Sequence, residues 1–241
     1  MSEGGYAHRP VAQATPSSTS SRAPAPKPKP APQPAADPQG FAKLAGKKLR
    51  KSEAPRVIQL PPPIAQGLQS SWNRSLNPTA VEQGGNVVRN QDKSYTWRQG
   101  KPGTKEAFAP DSEDVGKGQT LIGAGHTHPY DDGTTATFSG DDLSSLVTGV
   151  ERLEVLQSGK HVFVVARTAE FDALVDAAYD HDPQSGEAEL MKRIEAAYTK
   201  VYSKATKATQ AQYAELATIQ VCREFKLVYY RGQGSTLGRV E

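Results

Sequence analysis

The chain has 241 residues, with 36% hydrophobic and 23% charged side chains, enough for one or two domains. A single cysteine, Cys222, excludes both a disulfide within the chain and a zinc site built from cysteines. The formal net charge of +3 is uneven, because residues 1–56 hold ten Lys and Arg against three acids and the remainder carries −4.

Thirteen of the 18 prolines lie in residues 1–63, in runs such as "APAPKPKPAPQP". Proline alternating with Ala, Lys and Gln gives an extended segment with little to bury, so residues 1–55 are expected to be a disordered basic tail. The rest of the chain is long enough to build a proper core. The tail's charge would suit an anionic surface, but it lacks the aromatic interleaving of RNA binders, which argues against nucleic acid. "MSEGGYAHRP" has no apolar signal stretch and no run approaches 18 apolar residues. The expectation is synthesis in the cytoplasm without a cleavable signal peptide, and no membrane span.

Residues 56–77 read as a linker and leading helix, since Ile64, Leu68, Trp72 and Leu76 recur at four-residue steps after prolines tolerated in a first turn. "AVEQGGNVVRN" predicts a short strand, with Gly84-Gly85 allowing a bulge or a close backbone approach. "NQDKSY" is a turn and "SYTWRQG" a partner strand, making a hairpin. "GQTLIGAGHTHP" predicts a buried strand ending at two histidines. After a polar loop, Ser139 is a good N-cap for a short helix "GDDLSSLVTG" with acids in its first turn. "LEVLQSGKHVFVVART" reads as two strands meeting at Ser158-Gly159, and "AEFDALVDAAYD" as a helix. Leu190, Ile194, Ala197, Val201, Ala205 and Ala208, then Tyr213, Leu216 and Ile219, continue at helical steps as one long helix or two joined ones. "FKLVYYRG" closes as a strand. Cys222 falls in the helical apolar pattern and is expected to be a buried thiol. The fold class expected is α+β.

His126 and His128 are two of only five histidines. On a strand, residues i and i+2 share a face, so both imidazoles can converge on one point. Two imidazoles and one carboxylate are a common protein ligand set for a catalytic zinc. Asp131, Asp132, Asp141 and Asp142 all come within reach after them. By contrast, His161 is expected on a strand away from the site, and His181 in a helix-ending turn. "GQGSTLG" lacks the Lys and following helix of a phosphate loop.

"HTHP" followed by "SGDD" resembles the His-x-His-Pro … Ser-x-x-Asp signature of the JAB/MPN (JAMM) zinc metalloproteases, and "VEQGGNVV" resembles their upstream acidic element. The resemblance covers roughly residues 78–168, and in particular the stretch resembles the JAB-like domains of bacterial secreted and polymorphic toxins. It implies a cytidine-deaminase-like mixed sheet flanked by helices, with 78–168 as catalytic core and 169–241 as a helical extension with a closing strand. It further implies Zn2+ held by His126, His128 and Asp142, Glu82 as the base acting on water, and Ser139 as donor to the substrate oxyanion. One departure is the loop: thirteen residues separate His128 from Asp142 where the family pattern has ten, which leaves Asp141 as the alternative ligand.

The function so implied is a zinc-dependent peptidase or isopeptidase with a protein or isopeptide-linked protein as substrate. As a secreted effector it would engage secretion machinery or a chaperone through its tail, reach a target cell, and be countered by an immunity protein. The competing expectations are a catalytically inactive partner-binding scaffold, and a metallohydrolase acting on peptidoglycan or nucleic acid.

Overall fold

In chain order the elements are α1 (Gly40–Gly46), a 3-10 turn (Lys51–Glu53), β1 (Val57–Gln59), α2 (Pro62–Ser75), β2 (Gly84–Arg89), β3 (Tyr95–Gln99), β4 (Thr120–Thr127), α3 (Gly140–Ser145), β5 (Leu153–Ser158), β6 (His161–Ala166), α4 (Ala169–His181), α5 (Gly186–Tyr202), α6 (Gln210–Glu224), β7 (Val228–Gln233) and β8 (Thr236–Val240). They come from a computed structural model that describes residues 39–46, 48–76, 80–105, 107–110, 115–129 and 136–241.

The architecture is α+β. All eight strands join one mixed sheet in the order β1-β8-β7-β6-β5-β4-β2-β3. Only β4 and β5 run parallel, and a parallel pair needs a crossover rather than a tight turn. That crossover, from His128 through α3 to Arg152, carries His128, Ser139 and Asp142 to the end of β4.

The sheet is covered on both faces. Leu153 and Val155 of β5, with Val162 and Val164 of β6, pack with Phe41, Ile64 and Leu68 of α1 and α2. The alternate residues Leu156, Phe163 and Val165 pack instead with Leu143, Phe171, Ile194 and Val221 of α3 to α6. Strands buried on both faces read as continuous apolar runs, which is why "HVFVVA" shows no polar alternation. Each such side chain contributes about 1.5–3 kcal/mol on full burial.

One expected boundary is corrected. The tail does not extend to residue 55: Phe41, Leu44 and Ala45 are buried on α1, and the Phe41 ring meets Tyr95 edge-on at 5.1 Å. Their i, i+3, i+4 spacing makes an apolar helical face within a stretch dominated by Lys, Pro and Ala. Residues 1–38, with most of the proline runs, lie outside the described residues. Residues 169–241, three helices and two closing strands, pack on the rest of the fold. Strand β7 pairs with β6 over six residues, Ser144 Oγ of α3 donates to Glu195 Oε1 of α5 at 3.1 Å, and Pro34–Glu241 forms one compact unit.

The long C-terminal apolar pattern resolves into two helices, parted at a turn where Thr206 N donates to Thr209 Oγ1 at 2.8 Å. "GQGSTLG" is the β7–β8 hairpin, with Gly234 at φ +63°. Among the described residues no helix is long and apolar enough to cross a membrane.

Candidate metal centre

Strand β4 ends in small residues and one histidine, "GAGHT". The ladder continues one residue past it, since His128 N donates to Gln157 O of β5 at 3.0 Å. His126 and His128 therefore keep strand alternation and face the same way, with Nε2 atoms 3.0 Å apart. Both residues are buried. Gly125 turns to the opposite face, where a Cβ would lie 2.9 Å from both the Trp97 ring and Val155 O. A glycine there lets Trp97 close the back of the site.

Asp142 reaches the histidines from the first turn of α3. Its Oδ1 lies 3.4 Å from His126 Nε2, and its Oδ2 3.5 Å from His128 Nε2. Ser139 is the N-cap of α3, as its sequence position predicts: Asp142 N donates to Ser139 Oγ at 3.1 Å, and Ser139 N donates to Asp142 Oδ2 at 2.7 Å. This reciprocal capping box satisfies two backbone donors and aims the carboxylate. Asp141 is exposed. Ser158 Oγ braces both ends of the intervening loop, donating to His128 O at 3.3 Å and accepting from Ala136 N at 3.2 Å. The loop between, with Asp131 and Asp132, lies outside the described residues.

Glu82 comes from the segment before β2. Its backbone is fixed on both sides, with Glu82 N donating to Thr104 O at 2.7 Å and Gly103 N donating to Glu82 O at 2.9 Å. Gln83 N donates to Thr127 Oγ1 at 3.0 Å, which joins this segment to β4. Glu82 Oε1 then lies 3.7 Å from His128 Nε2. The paired glycines serve a close approach: a Cβ on Gly84 would stand 2.3 Å from Gly125 O and 2.6 Å from the Phe108 ring. The β2–β4 irregularity falls later, between Val87 and Val88. Phe108 stacks on His126 at 6.3 Å and 15°.

A third acid was not anticipated from sequence. Glu154 of β5 is buried, with Oε1 3.2 Å from His126 Nδ1. Its signal in the sequence is faint: one carboxylate between Leu153 and Val155 in a strand that is otherwise apolar at its start.

These donors fit a divalent ion. Ligand atoms around a tetrahedral zinc with bonds of about 2.0–2.1 Å stand about 3.3–3.4 Å apart. The imidazole nitrogens stand 3.0 Å apart, and the Asp142 carboxylate spans them, with Oδ1 3.4 Å from His126 Nε2 and Oδ2 3.5 Å from His128 Nε2. Two imidazole nitrogens at 3.0 Å also need a shared proton or a shared cation between them. Among the described residues, Glu82-His126-His128 and His126-Asp142-Glu154 are the groups whose ligand atoms lie within 4.8 Å of one another. His181 and His161 take no part. Asp182, beside His181, accepts from Gln184 N and Ser185 N in a turn.

The electrostatics match a cation site. Burial, reinforced by Asp142 and Glu154, raises Glu82 to about 7, against the opposing pull of His126. Burial likewise raises Glu154 to about 7. Burial lowers the His126 imidazole, but Asp142, Glu154 and Glu82 together outweigh it and lift the group to about 9. His128 is driven down by burial. A divalent cation would favour ionised carboxylates and neutral imidazoles throughout.

The cluster borders a cleft of about 420 Å³ lined by Glu82, Phe108, Pro110, Ser139, Asp142 and Leu146, among others. No protein-family model matches the chain, and no curated protein matches it.

Proposed function

We propose that the chain is a zinc-dependent hydrolase of the JAB/MPN (JAMM) type that cleaves a peptide or isopeptide bond. The observation that carries this reading is the convergence of His126, His128 and Asp142 to within 3.0–3.5 Å, with Glu82 beside them at the wall of an open cleft. The motif order Glu82, His126-x-His128, Ser139-x-x-Asp142 supports the same family.

In this reading the two histidines and Asp142 hold the ion, which supplies Lewis acidity for water activation and carbonyl polarisation. Among the described residues, the ion pair of the Glu82 side chain is with His128 of the cluster. Glu82 takes a proton from the attacking water and delivers it to the leaving amine nitrogen. Ser139 Oγ accepts from Asp142 N and retains its own proton, so it can donate to the oxygen that becomes negative on attack. One such donor is worth about 3 kcal/mol of barrier. Phe108 and Leu146 exclude water from the cleft wall and seat an apolar part of the substrate.

The effector role rests on the resemblance to toxin-type domains and on the Pro-rich residues 1–38. It brings with it export machinery or a chaperone as partner of that segment, and an immunity protein as partner of the cleft.

The test is metal analysis joined to proteomics. Purified protein should carry one zinc per chain, lost in His126→Ala and kept in Glu82→Ala. Expression of the wild type in target cells should generate new N-termini or released modifiers that Glu82→Ala does not. A zinc-free wild type, or full activity in Glu82→Ala, would sink the proposal.

A further inference from the structure

Glu154 stands where an apolar residue would be the default. Its strand neighbours Leu153 and Val155 enter the core beneath α2, and Leu156, on Glu154's own face, packs among α3 to α6. A carboxylate buried in such a strand is costly unless a partner receives it. The partner is His126. Parallel register sets Glu154 beside Ala124 and Leu156 beside His126, which brings Glu154 Oε1 to 3.2 Å from His126 Nδ1. A slip of one residue in β5 would turn Glu154 to the other face. Its second oxygen, Oε2, is buried without a hydrogen-bond partner, so among the described residues His126 is the one donor this side chain serves.

The other ligands have braces of their own. Asp142 is held by Ser139, and the His128 backbone by Gln157 and Ser158. The stacked Phe108 ring limits tilting of His126 but does not distinguish its two nitrogens.

We infer that Glu154 is a positioning residue of the metal centre: it accepts the Nδ1 proton of His126 and so holds the imidazole with its Nε2 lone pair toward His128 and Asp142. The inference rests on reading this cluster as a metal centre. Carboxylates behind ligating histidines act in this way in metal sites generally, and their loss weakens metal binding by about 10–100-fold.

The test uses the full chain, titrated with zinc against a chromophoric chelator, as wild type, Glu154→Gln and Glu154→Leu. A Gln carbonyl still accepts from Nδ1–H, so Glu154→Gln should lose only a few-fold in affinity. Glu154→Leu should lose about 10–100-fold. Metal-free Glu154→Leu should also lose stability in urea, because His126 keeps its proton there without this acceptor. Unfolding therefore does not separate positioning from a structural role, and the ring protonation does. Nitrogen-15 spectra of the zinc-bound histidines should show His126 protonated at Nδ1 in the wild type and in Glu154→Gln.

Wild-type affinity in Glu154→Leu overturns the inference. A loss in Glu154→Gln as large as that in Asp142→Asn makes Glu154 a direct ligand and also overturns it. If the wild type takes up no zinc, the metal reading itself has failed. Should Glu154→Leu not fold, the Gln variant decides, and an unprotonated His126 Nδ1 in its zinc-bound spectrum overturns the inference.

Discussion

Ser139 and Asp142 hold each other, each backbone N–H donating to the other's side chain at 2.7 and 3.1 Å. One Ser-x-x-Asp spacing thus starts a helix and aims a carboxylate at the two histidines, and the two jobs can be separated. Ser139→Ala removes the cap acceptor but leaves the Ser139 N–H that points Asp142. It should cost about 0.5–2 kcal/mol of stability in urea unfolding, keep zinc, and lower kcat by about 10²–10³ through the lost oxyanion donor. Asp142→Asn should lose zinc instead. If Ser139→Ala loses zinc as fully as Asp142→Asn, the hydroxyl matters to the ligand set and not to the substrate.

Zinc binding should depend on pH with a definite sign. Without metal, the carboxylates around His126 lift it to about 9, so the imidazole is protonated at neutral pH. A metal binds only the neutral ring, so uptake must expel that proton. Affinity should rise by up to about tenfold per pH unit from about 7 to 9 and flatten above. Calorimetry in two buffers of different ionisation enthalpy would count the proton released. Binding without proton release at about pH 7.5 would mean that His126 is already neutral there.

Much of the centre was legible because it is local. His126 and His128 share a face by strand alternation alone, and Ser139 announces a helix start by its position before two acids. The hairpin of β2 and β3 and the strands β4 to β6 are marked by apolar runs bounded by Gly, Asn and Ser. What was not legible is non-local. Strand β1 is three residues long and exists only by pairing with β8, at the opposite end of the described chain. The role of Glu154 depends on parallel register with β4, which no periodicity within β5 encodes. Helix α1 was hidden by composition, its three apolar residues diluted by basic and proline-rich neighbours. The packing partner of residues 169–241 was hidden for a related reason, since helical spacing says which face is apolar but not whose core receives it.

Cys222 should be inert in the folded protein. It is buried on α6, and burial pushes its thiol up to about 12, against a small opposing pull from Lys51. The thiolate is the reactive form, so alkylation by iodoacetamide near pH 8 should run more than about 10³-fold slower in native than in urea-unfolded protein. Rapid native labelling would show that α6 opens locally from the β7–β8 end.

Asp172 ties the cleft wall to the sheet. Its carboxylate, 2% exposed, receives Arg152 Nη1 at 2.6 Å and Arg167 Nε at 2.8 Å. Arg167 Nη1 donates onward to Gly149 O at 2.8 Å, and Gly149 and Glu151 line the cleft. Removing one member of a buried charge cluster strands the others, so Asp172→Ala should cost about 3–5 kcal/mol in urea unfolding. Asp172→Asn keeps an acceptor and should cost less. Because the Gly149 tether lies along the cleft and outside the histidine cluster, Asp172→Asn should raise KM more than it lowers zinc affinity. Equal loss of both would mean that the wall and the metal centre move as one piece, and would place the boundary of the site further into α4 than the hydrogen bonds suggest.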